Sequence, residues 1–537
     1  MRARLAFAVL VLVGVLVAAC TGGPPPGPSP TTSFSGPAYT LRVLGGSELA
    51  DMQPILDEAA KATGVTVKLT QTGTLSGAQT VASGNANGVY DATWFSSNNY
   101  LGVQPGADNE IGATTNIMYS PVLLGLRRDI AARLGWDKHS PSWADIAAAA
   151  GAHRFTFGMT NPADSNSGFS ALVGIAEAVA NTGAALTTGD IDKVSPQLRE
   201  FFDAQTLSSG SSGWLSQAFA GAASRIDGMV NYESLLLSYN AAHRSDPLTL
   251  VYPSDGVLIS EYPLTLLSSA SSAAKSAYNR LVGYLQTPDV QREIMTTTHR
   301  RPVPASIKLS PELAGHTLYQ LPFPATSDVV NGLIAAYFDT LRRPARTVYV
   351  LDTSGSMKGD RIAGLKSALA ALSGANPSLA GQFDQFHERE QVTILPFNTA
   401  PGAPTTFDVP QQNPQPVLDQ IAAYGNGLTA GGDTAIYDSL VDAYTIIGQQ
   451  AATDPDRINS IVLLTDGENN TGRNFAAFST WYHQLSPGAA AVPVFPILFG
   501  EGNVAEMKNL ATLTGGLAFD ARTQSLTQVF AQIRGYQ

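Results

Sequence analysis

At 537 residues, with 44% apolar and 14% charged side chains, the chain reads as globular and too long for one hydrophobic core, so two or three domains are expected. Its net charge of −11 excludes nucleic acid as the main partner, because phosphate recognition needs a basic face. The single cysteine, Cys20, excludes an intrachain disulfide.

Arg2 and Arg4 precede an apolar run from Leu5 to Leu16, which closes in Val17-Ala18-Ala19-Cys20. The run is short for a membrane span and has the order of a signal peptide. A cysteine directly after small residues resembles a bacterial lipobox. That resemblance implies a signal peptide over 1–20, lipidation of Cys20, and a chain anchored in the cell membrane on its extracytoplasmic face. The plainer alternative is an ordinary signal peptide, or a short anchor, with an incidental cysteine. Residues 21–38 are mostly Pro, Gly, Ser and Thr. They can bury almost nothing and read as an extended linker.

From residue 39 to 324 the pattern predicts one α/β unit. A strand at Tyr39–Leu44 leads into Gly45-Gly46-Ser47 and a helix over Glu48–Ala62. Strand Val65–Thr70, a helix near Ala78–Ser83 and strand Asp91–Phe95 follow. Strands alternating with helical spacing indicate βαβ units and a largely parallel sheet. Ser327–Arg343 has helical spacing, with Ser327 as N-cap and Pro344 as stop, and residues 325–345 read as a connecting helix.

A second alternation fills 346–537. Thr347–Leu351 is β-rich and apolar, as a strand buried on both faces should be. Further strands are expected at Val392–Phe397, Ser460–Leu464, Val492–Phe499 and Leu517–Asp520, with helices between them and one at Leu526–Ile533. The expected fold is a doubly wound, Rossmann-like α/β domain, which places ligands at the carboxyl ends of its strands.

Two of those strand ends carry carboxylates. Thr347–Leu351 runs into Asp352-Thr353-Ser354-Gly355-Ser356, and the strand ending at Leu464 runs into Thr465-Asp466-Gly467-Glu468. Between them Gly431-Gly432-Asp433-Thr434-Ala435-Ile436-Tyr437-Asp438 opens a helix. Carboxylates and hydroxyls on converging loops suit a hard cation such as Mg²⁺, which prefers oxygen ligands. Asp, Ser and Gly are also common turn residues, and one such motif alone would not outweigh a polar turn. Three in order do.

These motifs resemble the von Willebrand factor A family over residues 346–537. The resemblance implies that Ser354, Ser356 and Thr434 ligate Mg²⁺ or Mn²⁺, with Asp352 and Asp466 acting directly or through water. It further implies a partner protein that offers an acidic side chain to the ion, and a recognition module rather than an enzyme. Asp433 departs from the family pattern by standing between the Gly pair and Thr434, which leaves Thr429 as the alternative loop ligand.

The unit over 39–324 resembles the type II solute-binding proteins of bacterial importers, a bilobal α/β fold. Thr74-Leu75-Ser76-Gly77-Ala78, the Asn161–Gly168 loop and Val230-Asn231-Tyr232-Glu233-Ser234 carry that resemblance, with hinge crossings at Asn116–Leu126 and Val251–Leu267. Helix N-termini flanked by hydroxyls can hold a small anion. Ser47, Ser76, Ser97, Ser167 and Glu233 are the candidate cleft residues, although Ser is equally at home as a ligand-free N-cap. Enzyme motifs are missing: there is no Gly-x-Ser-x-Gly elbow, no His-Glu-x-x-His and no Gly-rich Lys loop. Glu388-Arg389-Glu390 reads as a solvated charged face. Two functions remain open. One is a membrane-anchored recognition protein, the other a transport-associated lipoprotein that captures a small anion and docks through its A-like domain.

Overall fold

The computed structural model describes residues 34–221, 226–500, 502–522 and 525–537. Cys20, the signal peptide and most of the linker lie outside the described residues. Among the described residues no helix is long and apolar enough to cross a membrane.

Strands β1 (Tyr39–Gly45), β2 (Val65–Gln71), β3 (Ala92–Trp94), β4 (Ile111–Asn116) and β5 (Met118–Arg127) open the first half. They are followed by β6 (Phe157–Thr160), β7 (Gln205–Ser209), β8 (Gly228–Tyr232), β9 (Leu248–Val251), β10 (Ile259–Ser260), β11 (Pro263–Leu267) and β12 (Arg301–Pro302). They form two sheets, one ordered β2-β1-β3-β11-β4 and the other β10-β5-β8-β6-β7, with β9 and β12 also paired to β5. The chain passes from the first sheet to the second between β4 and β5, and returns between β10 and β11. Both passages fall inside the expected hinge segments. Leu41, Val43, Trp94 and Leu264 form the core of the first lobe, and Trp143, Phe157, Phe169 and Phe201 that of the second.

Three local expectations shift. The predicted helix Glu48–Ala62 is a 3-10 turn at Ser47–Met52 followed by an α-helix at Gln53–Thr63. Pro54 has no N–H to give to the preceding turn, so the α-helix must restart there. The helix expected near Ala78 begins at Thr74. The connecting helix runs over Ser327–Ala336, with Thr326 rather than Ser327 at the N-cap position, and continues as a π turn over Tyr337–Leu341. Val329, Val330, Leu333, Ile334 and Tyr337 belong to the core of the second lobe, so this helix is built into the first half.

The second half has one sheet. Its strands are β13 (Ala345–Asp352), β14 (Gln391–Phe397), β15 (Thr405–Asp408), β16 (Ile458–Thr465), β17 (Val494–Leu498) and β18 (Phe519–Asp520). The order is β15-β14-β13-β16-β17-β18, parallel except for the edge strand β15. β13 is buried at every residue and paired on both sides, with Asp352 opposite Phe397 of β14. β15 carries little strand signal, because three of its four residues are polar and only one side of it is paired.

The two halves meet on a buried ionic cluster, which corrects the reading of Glu388-Arg389-Glu390 as a solvated face. Glu390 is 2% exposed and accepts from Arg342 at 2.5 Å and from Arg534 at 2.8 Å. Those arginines lie 48 and 144 positions away, beyond what a local charge pattern can show. The Arg342 guanidinium also donates to the Gln537 carbonyl at 2.6 Å. Beside the cluster, Trp214 of the second lobe packs edge-on against Tyr536, with ring centroids 4.8 Å apart.

Candidate metal centre and solute cleft

β13 delivers Asp352 to the top of the sheet, and β16 delivers Asp466 beside it. The Ser354 N–H donates to Asp352 Oδ1 at 2.8 Å, and the Thr465 hydroxyl donates to Asp352 Oδ2 at 2.8 Å. Both Asp352 oxygens are therefore held from within the loops. The Ser354 and Ser356 hydroxyl oxygens lie 3.0 Å apart, and the Ser356 hydroxyl donates to Asp466 Oδ1 at 2.7 Å. Asp352, Ser354, Thr434 and Asp466 are buried and Ser356 is exposed, so the cluster opens to solvent at Ser356. Burial pushes the Asp352 carboxyl above its ordinary range. The hydrogen bonds from Ser354 and Thr465 oppose that shift, and the facing Asp466 charge adds to it.

The helix-opening loop is clamped to the first loop. Gly355 N–H donates to the Gly432 carbonyl at 2.9 Å and Gly431 N–H to the Thr353 carbonyl at 2.7 Å. Asn470 accepts from Thr434 N–H and Asn469 from Ile436 N–H, each at 2.8 Å. The extra residue, Asp433, is left exposed, with its N–H on the Thr399 hydroxyl at 3.0 Å. The Thr434 hydroxyl has no hydrogen-bond partner among the described residues, which leaves it free to ligate. Thr429 lines a neighbouring cleft of about 260 Å³ with Thr353, Phe397 and Asn398.

Among the described residues no group of three or more His, Cys, Asp or Glu is placed to hold a metal. The donors gathered here are two carboxylates and hydroxyls. Oxygen donors of this kind fit a hard divalent cation such as Mg²⁺ or Mn²⁺.

The cleft between the lobes is lined differently from expectation. Glu233 is wholly buried, pairs with Arg301 through two bonds of 2.7 Å and accepts from the Tyr252 hydroxyl at 2.6 Å. It braces the hinge, and both of its oxygens already have strong partners. Ser97 accepts from Asn99 N–H at 3.1 Å in a local turn, and Ser76 is exposed on its helix. Their neighbours face inward instead: Thr74 lies 3.5 Å from the Ser96 hydroxyl, which accepts from the Tyr232 hydroxyl at 2.8 Å. Ser167 is buried in a hydroxyl cluster with Thr160 and Ser212, each at 2.8 Å. Ser47 meets Ser211 of the other lobe at 3.4 Å. Nearby, Arg300 and Asp51 pair at 2.6 Å, and the remaining atoms Glu48 Oε1, Asp51 Oδ1, Tyr262 OH and Arg300 Nε are buried without hydrogen-bond partners.

Residues 41–296 match the family model described as bacterial extracellular solute-binding protein, and residues 347–468 match that of the von Willebrand factor type A domain. The chain thus carries a solute-binding-protein-like α/β unit followed by a von Willebrand factor A-like one. The second stretch contains all five candidate metal residues. Curated relatives include inter-alpha-trypsin inhibitor heavy chain H4 of Homo sapiens, 25% identical over 200 residues, covering 35% of this chain and 20% of that protein. Calcium-activated chloride channel regulator 1 of Equus caballus is 33% identical over 96 residues, 18% of this chain and 9% of that protein. The chain thus spans a fifth or less of the curated relatives it matches. Solved structures similar to it include the periplasmic binding protein AfuA from Actinobacillus pleuropneumoniae, at 12% identity, TM-score 0.46, and coverage of 57% of this chain and 99% of that one. Another is a von Willebrand factor type A structure from Catenulispora acidiphila, at 16% identity, TM-score 0.28, and coverage of 36% and 42%.

Within the von Willebrand factor A-like half, further residues support the candidate metal loops. Thr465 holds Asp352, and Asn469 and Asn470 pin the Thr434 loop. Their signal was present, since they flank Asp466 in one unbroken run. Arg361, in the first turn of helix Asp360–Ala370, donates to Asp466 Oδ2 at 2.6 Å and is 35% exposed. Gly500, at φ 107°, leaves room for it: a Cβ there would stand 2.8 Å from the Asp466 carbonyl oxygen and 3.2 Å from Arg361 Cζ. In the solute-binding-protein-like unit, Thr74 and Ser96 lie two and one positions from Ser76 and Ser97 and face each other.

Proposed function

We propose that the chain is an extracytoplasmic recognition protein, lipid-anchored through Cys20, whose von Willebrand factor A domain takes an acidic side chain of a partner protein at a Mg²⁺- or Mn²⁺-dependent site. One observation carries this reading: the Ser354 and Ser356 hydroxyls and the Asp466 carboxylate converge at a solvent-facing point, with a second buried carboxylate, Asp352, directly behind. Ser354, Ser356, Thr434 and Asp466 would hold the ion, while Asp352 orients the first loop through Ser354. Bound there, the ion would supply an electrophilic centre undercompensated by neutral hydroxyls, with a coordination position for a carboxylate from outside. The loops lie above a separately packed sheet, so the site can lose a ligand without losing the fold. Partner capture from a membrane extract by the purified chain should require Mg²⁺, disappear in chelator and disappear in Asp466→Asn. Equal capture in chelator would overturn the proposal.

A second reading, capture of a small solute in the cleft, is favoured by the four unpartnered buried atoms there. Tyr262 OH and Arg300 Nε would donate to an anionic group, and Glu48 Oε1 and Asp51 Oδ1 would accept from hydroxyl or amino groups of the same molecule. A thermal-shift screen of oxyanions, sugars and short peptides tests it, since a ligand of the folded state raises the melting temperature by mass action. A screen with no stabilising class would leave the cleft as a brace between lobes.

A further inference from the structure

We infer that Arg361 is an internal counter-cation that competes with the divalent ion for Asp466 and so holds the metal affinity of the site down. The inference rests on the metal-site reading and adds to it a residue that sets the strength of the site. Asp466 is wholly buried at its side chain, and its partners are the Ser356 hydroxyl at 2.7 Å on one oxygen and the Arg361 guanidinium at 2.6 Å on the other. An ion ligated by Asp466 would therefore compete with a positive charge already paired to that carboxylate. With Arg361 in place, the pair Asp352 and Asp466 presents a net charge of about −1 rather than −2 to an incoming cation.

The placement of Arg361 is unusual for its helix. It stands in the first turn, where the helix dipole disfavours a cation, and its neighbour Asp360 is the residue type that position prefers. What offsets the dipole is the ion pair with Asp466. Gly500 supplies the clearance, because a side chain there would press on both Arg361 Cζ and the Asp466 backbone. The Arg361 side chain is a third exposed, so it can move aside toward water without burying an unpaired charge.

The test is Mn²⁺ alone, titrated into the purified full chain and read by electron paramagnetic resonance of the free ion. Arg361→Gln should bind Mn²⁺ about tenfold more tightly than the unaltered chain, because one nearby positive charge is gone. Arg361→Lys, which keeps the charge, should stay near the unaltered value. Thermal melts of each variant verify that the fold is kept. Equal affinity in the unaltered chain and Arg361→Gln, or weaker binding in Arg361→Gln, would overturn the inference while leaving the metal site standing. No Mn²⁺ binding in any variant would instead remove the metal-site reading, and the inference with it.

Discussion

The metal loops and the solute cleft use the same materials, carboxylates and hydroxyls above sheet edges, and arrange them to opposite ends. At the loops, the hydroxyls of Ser354 and Ser356 bond only within their own cluster and face solvent through Ser356. In the cleft, side chains answer one another: Glu233 with Arg301 and Tyr252, Ser167 with Thr160 and Ser212 within the second lobe, and Ser47 with Ser211 across the lobes. A carboxylate held by hydroxyls can exchange them for a cation. One held by a buried guanidinium cannot, because the exchange strands a charge. Asp466 lies between these cases, since its guanidinium partner is partly in water.

The strongest way to break this contrast is at the hinge. Glu233→Ala should cost about 3–5 kcal/mol of stability in urea unfolding, because Arg301 would remain buried and unpaired. Its Mn²⁺ affinity should be unchanged. A cost below about 1 kcal/mol would mean the hinge pair behaves as a surface pair. Next in size, Asp466→Asn should lower Mn²⁺ affinity by about 100-fold or more, while the melting temperature moves by no more than about 2 °C. Calorimetry and a thermal melt on one preparation check both halves of that statement.

A third carboxylate sharpens the comparison at the domain interface. Burial pushes Asp384 up to about 6, against the pull of Arg534. The folded chain holds that proton more tightly than the unfolded chain, so ionising Asp384 costs stability as pH rises from the ordinary carboxylate range through about 6. Asp384→Asn should raise the melting temperature at pH 7.5 by about 1–2 °C and change it little at acidic pH, where the native carboxyl is already neutral. An equal shift at both pH values would show that ionisation is not the cause. The smallest effect is expected at Ser354→Ala, where water can replace a neutral hydroxyl: an affinity loss under about tenfold by the same Mn²⁺ titration.

The two sites also differ in how far the sequence reveals them. Asp352, Ser354 and Ser356 follow a strand buried on both faces, and Asp466 follows another, so contiguous motifs at strand ends locate the candidate metal residues before any contact is known. The alternation of strands and helices likewise points to the mostly parallel sheet of residues 345–520. Glu233 shows where such reasoning stops, because its partner Arg301 lies 68 positions away and only the fold brings them together. Glu390 is the same case with two distant arginines, and it reversed a surface reading into a buried one. Arg361 looked like any polar residue after a Gly-Asp turn, and its meaning depends on Asp466, 105 positions on. In the cleft, Thr74 and Ser96 are buried and face each other, while Ser76 is exposed and Ser97 closes a local turn. Which hydroxyl faces inward is set by helix phase and turn geometry rather than by residue type.

The account turns on whether a divalent ion sits among the loop oxygens. Crystals of the chain soaked in Mn²⁺ and measured at the manganese absorption edge answer this directly. The account predicts one strong anomalous peak within direct coordination distance of the Ser354 and Ser356 hydroxyls and an Asp466 oxygen, with the Arg361 guanidinium displaced from Asp466. A soaked crystal with no peak at these loops, and Ser356 still hydrogen-bonded to Asp466, would contradict it.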